Sequence, residues 1–337
     1  MTQYLQPIPS GQAYEDSARL AGSAQIFADT VVRHARGVDS EEMLLSDLDA
    51  ADHTRLSAHR APLCGLTLDV PRIMGILNVT PDSFSDGGTL ATVQDAVARA
   101  KVMAQDADIL DIGGESTRPG AAHVASDEEI NRTVPVIKAI RDAGIMTPIS
   151  IDTRKAAVAA AALAAGANMV NDVTALRFDA EMAAVVAEAD VPVCLMHSQG
   201  QPETMQDDPH YQDVVYDVFD HLADRIAVAE AAGIRRENII TDPGIGFGKT
   251  LQHNVTLLRT LAVYHDLGLP ILLGASRKRF IGTITGTDAA HDRLGGSLAV
   301  ALHGAAQGVH LLRVHDTKDT RQALSLQTAL NGLGNYG

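Results

Sequence analysis

At 337 residues the chain has room for one large barrel or two ordinary domains, and 46% hydrophobic residues are ample for a buried core. Its 27 Lys and Arg against 42 Asp and Glu give a formal charge of -15, which excludes nucleic acid or an anionic membrane as a bulk partner. An anionic substrate must therefore meet a local cluster of cations.

Cys64 and Cys194 are the only cysteines, and Cys194 sits inside the apolar run Val191-Pro192-Val193-Cys194-Leu195-Met196, so no disulfide framework is implied. No basic patch followed by an apolar run opens the sequence. No stretch approaches the roughly 20 apolar residues of a membrane span. A cytoplasmic location is expected.

In chain order, residues 1–60 stand apart. They carry nine acidic and five basic residues, and the stretch 23–36 reads as a helix. The segment is too short for a second enzyme of usual domain size. It reads as an extension of unknown role, either a small layer packed on the main domain or a partly ordered arm. The run Leu63-Cys64-Gly65-Leu66-Thr67-Leu68 reads as a strand that plugs a barrel bottom.

From Arg72 onward one unit recurs: an apolar run rich in Ile, Val and Leu, a polar or glycine-containing loop, then an Ala-rich helical stretch. The predicted strands are 73–79, 109–113, 148–152, 169–173, 191–197, 239–243, 270–276 and 311–315. Helices are expected at 156–165, 180–189, 214–232 and 294–307, and three of these stretches run into Gly166, Gly233 and Gly308, where a helix C-cap belongs. Eight such units define the expected fold: α/β, a (β/α)8 TIM barrel over residues 61–337 with a short N-terminal extension.

Barrel enzymes build their sites at the C-terminal ends of the strands, so the residues there are decisive. Nearly every predicted strand ends polar: Asn78, then Gly113-Gly114-Glu115-Ser116-Thr117-Arg118-Pro119-Gly120, then Ser150-Ile151-Asp152 and Asn171-Asp172. His197, Asp242, Ser276-Arg277-Lys278 and Arg313-Val314-His315 follow. Taken singly, an Asp at a strand end can simply cap the next helix. Gly246-Phe247-Gly248-Lys249 lacks the four residues that a phosphate loop needs between its glycines, so that reading is rejected. His197 and His315 lack the spacing of a zinc helix motif.

Taken together, the ends form a pocket. Asp152 and Asp242 beside the amide of Asn171 suit a flat heterocycle with adjacent N–H donors and a carbonyl, to which Lys278 would donate. Arg118, Arg313 and His315 supply cationic donors suited to a diphosphate, and Asn78 is placed as an oxygen ligand for Mg²⁺.

Gly75-Ile76-Leu77-Asn78-Val79-Thr80-Pro81-Asp82-Ser83-Phe84-Ser85-Asp86-Gly87-Gly88 and the Gly113 to Gly120 run resemble the two signature loops of the dihydropteroate synthase family. Asp242-Pro243-Gly244-Ile245-Gly246-Phe247-Gly248-Lys249, Ser276-Arg277-Lys278 and Arg313-Val314-His315-Asp316 match its later motifs in the same order, over about residues 66–330. The resemblance implies a transferase of a pterinylmethyl group, condensing 6-hydroxymethyl-7,8-dihydropterin diphosphate with p-aminobenzoate to give 7,8-dihydropteroate and diphosphate in folate biosynthesis. It places Asp152, Asn171, Asp242 and Lys278 on the pterin, with Met196 and Gly274 lining that pocket. Arg118, Arg313, His315 and Asn78 would hold the diphosphate and Mg²⁺, while Thr117, Pro119, Phe247 and Ser276 would frame p-aminobenzoate. It also implies a homodimer through the outer helices and inhibition by sulfonamides. Ile245, Ala275, Arg154 and Ser198 depart from the common pattern, and the amino-terminal extension has no counterpart in shorter members.

An aromatic amine needs little deprotonation before it attacks, so loss of diphosphate is the hard step. A dissociative substitution without a general base is expected, with Asp152, Lys278, Arg313 and His315 as the catalytic set and the two signature loops as covers that exclude water. Two other readings are a pterin-barrel methyltransferase, disfavoured by the diphosphate-type cations, and a pterin-binding protein without catalysis.

Overall fold

Alternation along each apolar run sets the architecture, because successive side chains of a strand point to opposite faces. The computed structural model describes residues 2–79, 92–116, 123–200 and 204–332. Three antiparallel strands come first: β1 (Gln3–Pro7), β4 (Thr30–Ala35) and β5 (Val38–Leu44), in the order β1-β4-β5. Two-residue strands β2 (Ala18–Arg19) and β3 (Phe27–Ala28) pair between them, and helix α1 (Ala50–Ser57) follows, capped by Asp49.

The helix expected over residues 23–36 is therefore wrong. Its second half is β4, central in a sheet, and the chain turns back after Ala35 with Gly37 at φ 71. The β-branched run Thr30-Val31-Val32 before Arg36-Gly37 is a hairpin signal that a helix over this stretch leaves unexplained. Leu5, Val31, Leu45, Leu48 and Leu56 form a small core under this sheet.

This layer is bonded to the rest of the chain. Tyr4 stacks on Tyr216 at 4.3 Å, the Leu5 N–H donates to Asp266 Oδ2 at 2.9 Å, and Arg55 Nε donates to Asp266 Oδ1 at 2.8 Å. Arg36 bridges to Asp217 and Asp220 at 2.8 and 2.9 Å.

The eight remaining strands are β6 (Arg72–Asn78), β7 (Ile109–Gly113), β8 (Ile149–Asp152), β9 (Met169–Asp172), β10 (Val193–Met196), β11 (Ile239–Asp242), β12 (Leu272–Leu273) and β13 (Leu311–Val314). They run parallel in the order β11-β10-β9-β8-β7-β6-β13-β12, and a parallel bridge from Thr241 to Ile271 closes the ring. Around it lie α2 (Val93–Met103), α3 (Ser126–Asp142), α4 (Ala156–Ala164), α5 (Met182–Ala189), α6 (Val214–Ala231), α7 (Leu251–Arg259), α8 (Arg279–Thr285), α9 (Leu294–Ala306) and α10 (Thr317–Leu330). The expected TIM barrel is thus present, and its four predicted helices agree with α4, α5, α6 and α9 to within two residues at each end.

Odd and even positions divide cleanly. Ile73, Leu77, Leu110, Ile112, Ile149, Ile151, Val170, Val193, Leu195, Ile239, Leu273 and Leu312 join the core shared with the helices. Met74, Ile109, Met169, Cys194, Ile240, Leu272 and Leu311 form a separate apolar layer inside the barrel bottom, together with Leu63 and Leu68. Each such side chain contributes about 1.5–3 kcal/mol of transfer free energy. The plug itself is a tight turn and not a strand: Leu63 and Leu66 exchange backbone hydrogen bonds of 3.0 and 2.8 Å around Cys64 (φ 51) and Gly65 (φ 79). Two central residues with positive φ make a reversal too sharp for strand pairing to extend.

Candidate active site

One step above the apolar layer, the same inward face carries Ile76, Asp111, Asp152, Asn171, Met196, Asp242, Gly274 and Arg313. Strand registers align them, pairing Ile76 with Asp111, Asp152 with Asn171, and Met196 with Asp242. Strand parity therefore delivers the polar set to one place, and Asp152, Asn171, Met196 and Asp242 are all buried there.

Arg313 ties the layer together. Its Nε donates to Asp111 Oδ2 at 2.7 Å, and its Nη2 lies 2.6 Å from both Asp111 Oδ2 and Asp152 Oδ2. Asp111 Oδ1 and Asp152 Oδ1 are buried and have no partner among the described residues. Unpaired carboxylate oxygens are costly in a protein interior, so they mark a place where donors are to be supplied by a ligand. Burial pushes the Asp152 carboxyl up to about 7, against the pull of Arg313 and with help from Asp111. Asp111 is the member that the strand-end reading missed. It stands in mid-strand, yet an Asp within Ile109-Leu110-Asp111-Ile112, two positions before Gly113, was its visible signal.

Asp242 accepts the Gly244 N–H at 2.7 Å, and burial raises its carboxyl despite nearby Lys278. Lys278 donates to the Ile245 carbonyl and lies 4.6 Å from the Phe247 ring centroid; burial lowers its ammonium to about 8. Gly274 leaves open space between these groups: a Cβ there would lie 3.8 Å from both Asp242 Oδ2 and Arg313. Gly113 does the same across the barrel, where a Cβ would be 3.3 Å from Asn78 Oδ1 and 3.5 Å from Asp152 Cβ.

His315 Nδ1 lies 3.1 Å from Ser276 Oγ, so these two predicted site residues meet at the rim. Between Ser276 and Lys278, Arg277 adopts φ 59. Its N–H is held by Ser297 Oγ at 2.9 Å, its Nε by Asp316 at 3.0 Å and its carbonyl by Arg293 at 2.9 Å. This left-handed residue lies between the two predicted site residues Ser276 and Lys278, a conformation that sequence alone did not assign.

Lys249 confirms the rejection of a phosphate loop. Its Nζ is 2.8 Å from His197 Nδ1 and donates to the Gly244 and Phe247 carbonyls at 2.9 and 3.1 Å. Three protein acceptors occupy this buried ammonium. Thr117, Arg118, Pro119 and Gly120, and the first loop from Thr80 to Gly88, lie outside the described residues.

For Mg²⁺, Asn78 is half-buried and its Oδ1 is taken by no donor among the described residues. A single amide oxygen near the Asp152 carboxylate, whose Oδ1 has no partner among the described residues, would suit an ion that keeps most of its sphere for water and substrate phosphate. The residues present do not exclude that group, for which Asn78 would be the protein ligand, and no cluster of three or more His, Cys, Asp or Glu that could hold a metal stands among the described residues.

A (β/α)8 barrel with three inward carboxylates, an amide and two cations at its mouth defines a class that binds a flat, donor-rich heterocycle. The comparisons agree. The profile described as pterin binding enzyme matches residues 74–315. The dihydropteroate synthase of Escherichia coli (strain K12) is 47% identical over 268 residues, covering 79% of this chain and 94% of that protein. The Xanthomonas albilineans dihydropteroate synthase structure with 4-aminobenzoic acid matches with a TM-score of 0.74 at 50% identity, covering 80% of this chain and 96% of that one. A Yersinia pestis dihydropteroate synthase in a sulfonamide drug complex matches with a TM-score of 0.77 at 42% identity, covering 81% and 99%. The chain belongs to the pterin-binding enzyme family, among its dihydropteroate synthases. The amino-terminal sheet and α1 lie outside the family match.

Proposed function

We propose that the barrel mouth condenses 6-hydroxymethyl-7,8-dihydropterin diphosphate with p-aminobenzoate by a dissociative substitution. The bond between the exocyclic methylene and the diphosphate oxygen breaks first, and diphosphate leaves with the electron pair. The amine nitrogen of p-aminobenzoate then attacks the methylene and releases a proton. The observation that carries this reading is the pair of buried, unpaired oxygens on Asp111 and Asp152 around Arg313.

Asp152 accepts ring and exocyclic N–H groups of the pterin, Asp242 and Asn171 hold its far edge, and Lys278 donates to its carbonyl. Negative charge around the ring favours the cationic methylene as the bond opens. His315, with Arg313 and Arg118, receives the departing anion, and His315 is an anion ligand and not a proton shuttle. Mg²⁺ at Asn78 supplies further positive charge to the diphosphate when bound. Thr117, Pro119, Phe247 and Ser276 frame p-aminobenzoate, with Met196 and Gly274 lining the pterin side.

The decisive assay is formation of 7,8-dihydropteroate with one diphosphate released per product when both substrates are present. Diphosphate release in the presence of both without 7,8-dihydropteroate sinks the reading. Sulfonamides compete with p-aminobenzoate, as the drug complex of the Yersinia pestis relative suggests. A homodimer through the outer helices is part of the same proposal, tested by sedimentation of the full chain. A cytoplasmic location is part of the same proposal, tested by cell fractionation; no helix among the described residues is long and apolar enough to cross a membrane.

A further inference from the structure

The amino-terminal layer lies outside the family match, yet its aromatic contacts and the two ion pairs of Arg36 converge on one short stretch of the barrel. Tyr4 of β1 is completely buried, stacks on Tyr216 and meets the Phe219 ring edge-on at 5.2 Å. Its hydroxyl donates to Asp220 Oδ2 at 3.0 Å and accepts Arg36 Nε at 3.2 Å. Arg36, just beyond β4, also covers the Tyr216 ring, 5.6 Å from its centroid. All of these partners stand in the first two turns of α6.

Asp217 carries the contact onward. Its Oδ1 takes Arg36 Nη1 at 2.8 Å, while its Oδ2 accepts the N–H groups of Gln212 and Asp213 at 2.8 and 3.2 Å. One carboxylate therefore joins the layer to the chain that enters α6. Partly exposed ion pairs add little to stability, so the value of this one is geometric. Immediately before Gln212, the Tyr211 hydroxyl donates to the Gly248 carbonyl at 2.7 Å. Burial pushes that phenol up, so it keeps the proton it donates. His210 is fixed as well, exchanging two bonds with the Gln199 side-chain amide at 2.9 and 3.1 Å.

Gly248 closes the turn that begins at Gly244, and this turn presses directly on the end of β10. A Cβ on Gly244 would lie 1.8 Å from the His197 carbonyl oxygen, and one on Gly248 2.4 Å from that of Gln199. The same turn touches the pterin groups, since the Gly244 N–H donates to Asp242 and the Ile245 carbonyl accepts Lys278. An unbroken line of bonds thus runs from Arg36 through Asp217 and Tyr211 to the two residues assigned to the pterin.

We propose that the amino-terminal layer is a brace on α6, with Arg36, Asp217 and Tyr211 as positioning residues that hold the Gly244–Gly248 turn in register with Asp242 and Lys278 and so set the affinity for the pterin. The inference rests on the reading above that Asp242 and Lys278 hold that substrate. It gives residues 1–60 a task that the barrel alone does not perform.

Calorimetric titration of the full chain with 6-hydroxymethyl-7,8-dihydropterin diphosphate and Mg²⁺ tests this. Arg36→Met weakens binding about threefold and Tyr211→Phe about tenfold, because a displaced turn misplaces both pterin contacts. Arg36 is partly exposed and Phe keeps the ring of Tyr211, so both variants fold. The double variant loses about tenfold and not about thirtyfold, since the second cut falls on a line already broken. Arg36→Lys, which keeps a cation on Asp217, recovers most of the loss. Asp49→Ala loosens the same layer away from α6 and leaves the affinity within about twofold. Multiplicative losses in the double variant, a lowered melting temperature with unchanged affinity, or an equal loss in Asp49→Ala overturns the proposal. A Lys278→Met variant that binds the pterin diphosphate as tightly as the unaltered chain would instead overturn the reading beneath it.

Discussion

The bottom and mouth of the barrel are built from the same strands, on the same inward face, two residues or about 7 Å apart, yet they do opposite work. Below, Met74, Ile109, Met169, Cys194, Ile240, Leu272 and Leu311 meet Leu63 in a closed apolar layer. Above, Asp111, Asp152, Asp242 and Arg313 keep charge in the interior, with two carboxylate oxygens left unpaired. The lower layer gains stability from burial, while the upper one gives some up so that ligand donors find acceptors waiting. Separation by a single step of parity lets each layer be changed without the other.

The largest effect that would break this division is at the mouth. Asp152→Asn lowers turnover at pH 7 by about 10²–10³-fold without lowering the melting temperature, since a buried carboxylate is exchanged for a neutral amide. Near-normal turnover in that variant would remove the carboxylate from the mechanism. At the bottom the pattern reverses. Leu63→Ala costs about 2–5 kcal/mol in urea unfolding through the cavity it leaves, with kcat unchanged.

The pH dependence sharpens the contrast. With its carboxyl near 7, Asp152 loses its charge as pH falls through that value, so kcat/KM declines on the acid side by about tenfold per unit. Lys278, near 8, loses its ammonium above that value and sets the alkaline limb. Stability linked to Asp152 runs the other way. Its folded-state pKa is raised, so the folded chain holds the proton more tightly, and this group's contribution falls as pH rises from about 4 to 7. An acid limb near 4 in kcat/KM would refute the assignment.

The smallest effect belongs to the amino-terminal layer. Asp49 caps α1 by accepting the Asp52 N–H at 2.8 Å, and Asp49→Ala costs about 1 kcal/mol by denaturation while leaving both KM values unchanged.

Legibility of the site followed distance along the chain. Strand-end Asp152, Asn171, Asp242 and Arg313 were readable because polar residues interrupt apolar runs at matching positions. Asp111 was less legible because it lies two residues before the end of its strand, although parity marks it equally well. Arg277 escaped because its left-handed backbone depends on Ser297, Arg293 and Asp316, none of them adjacent in sequence. The second half of segment 23–36 is a strand and not a helix because its neighbours across the sheet at β1 and β5 imposed it, as tertiary context often does for weak local propensity.

By itself the sequence determined the eight βα units and the polar character of the strand ends, which follow from local periodicity and from residue types whose chemistry is the same wherever they stand. The reaction was legible only through the resemblance that its loop motifs carry. Only the tertiary structure decided that Arg313 is shared by Asp111 and Asp152, that Lys249 turns inward to His197, and that Arg36 meets Asp217. Those pairings join residues far apart in the chain, and their energies depend on burial and angle, quantities that exist only once the ring has closed.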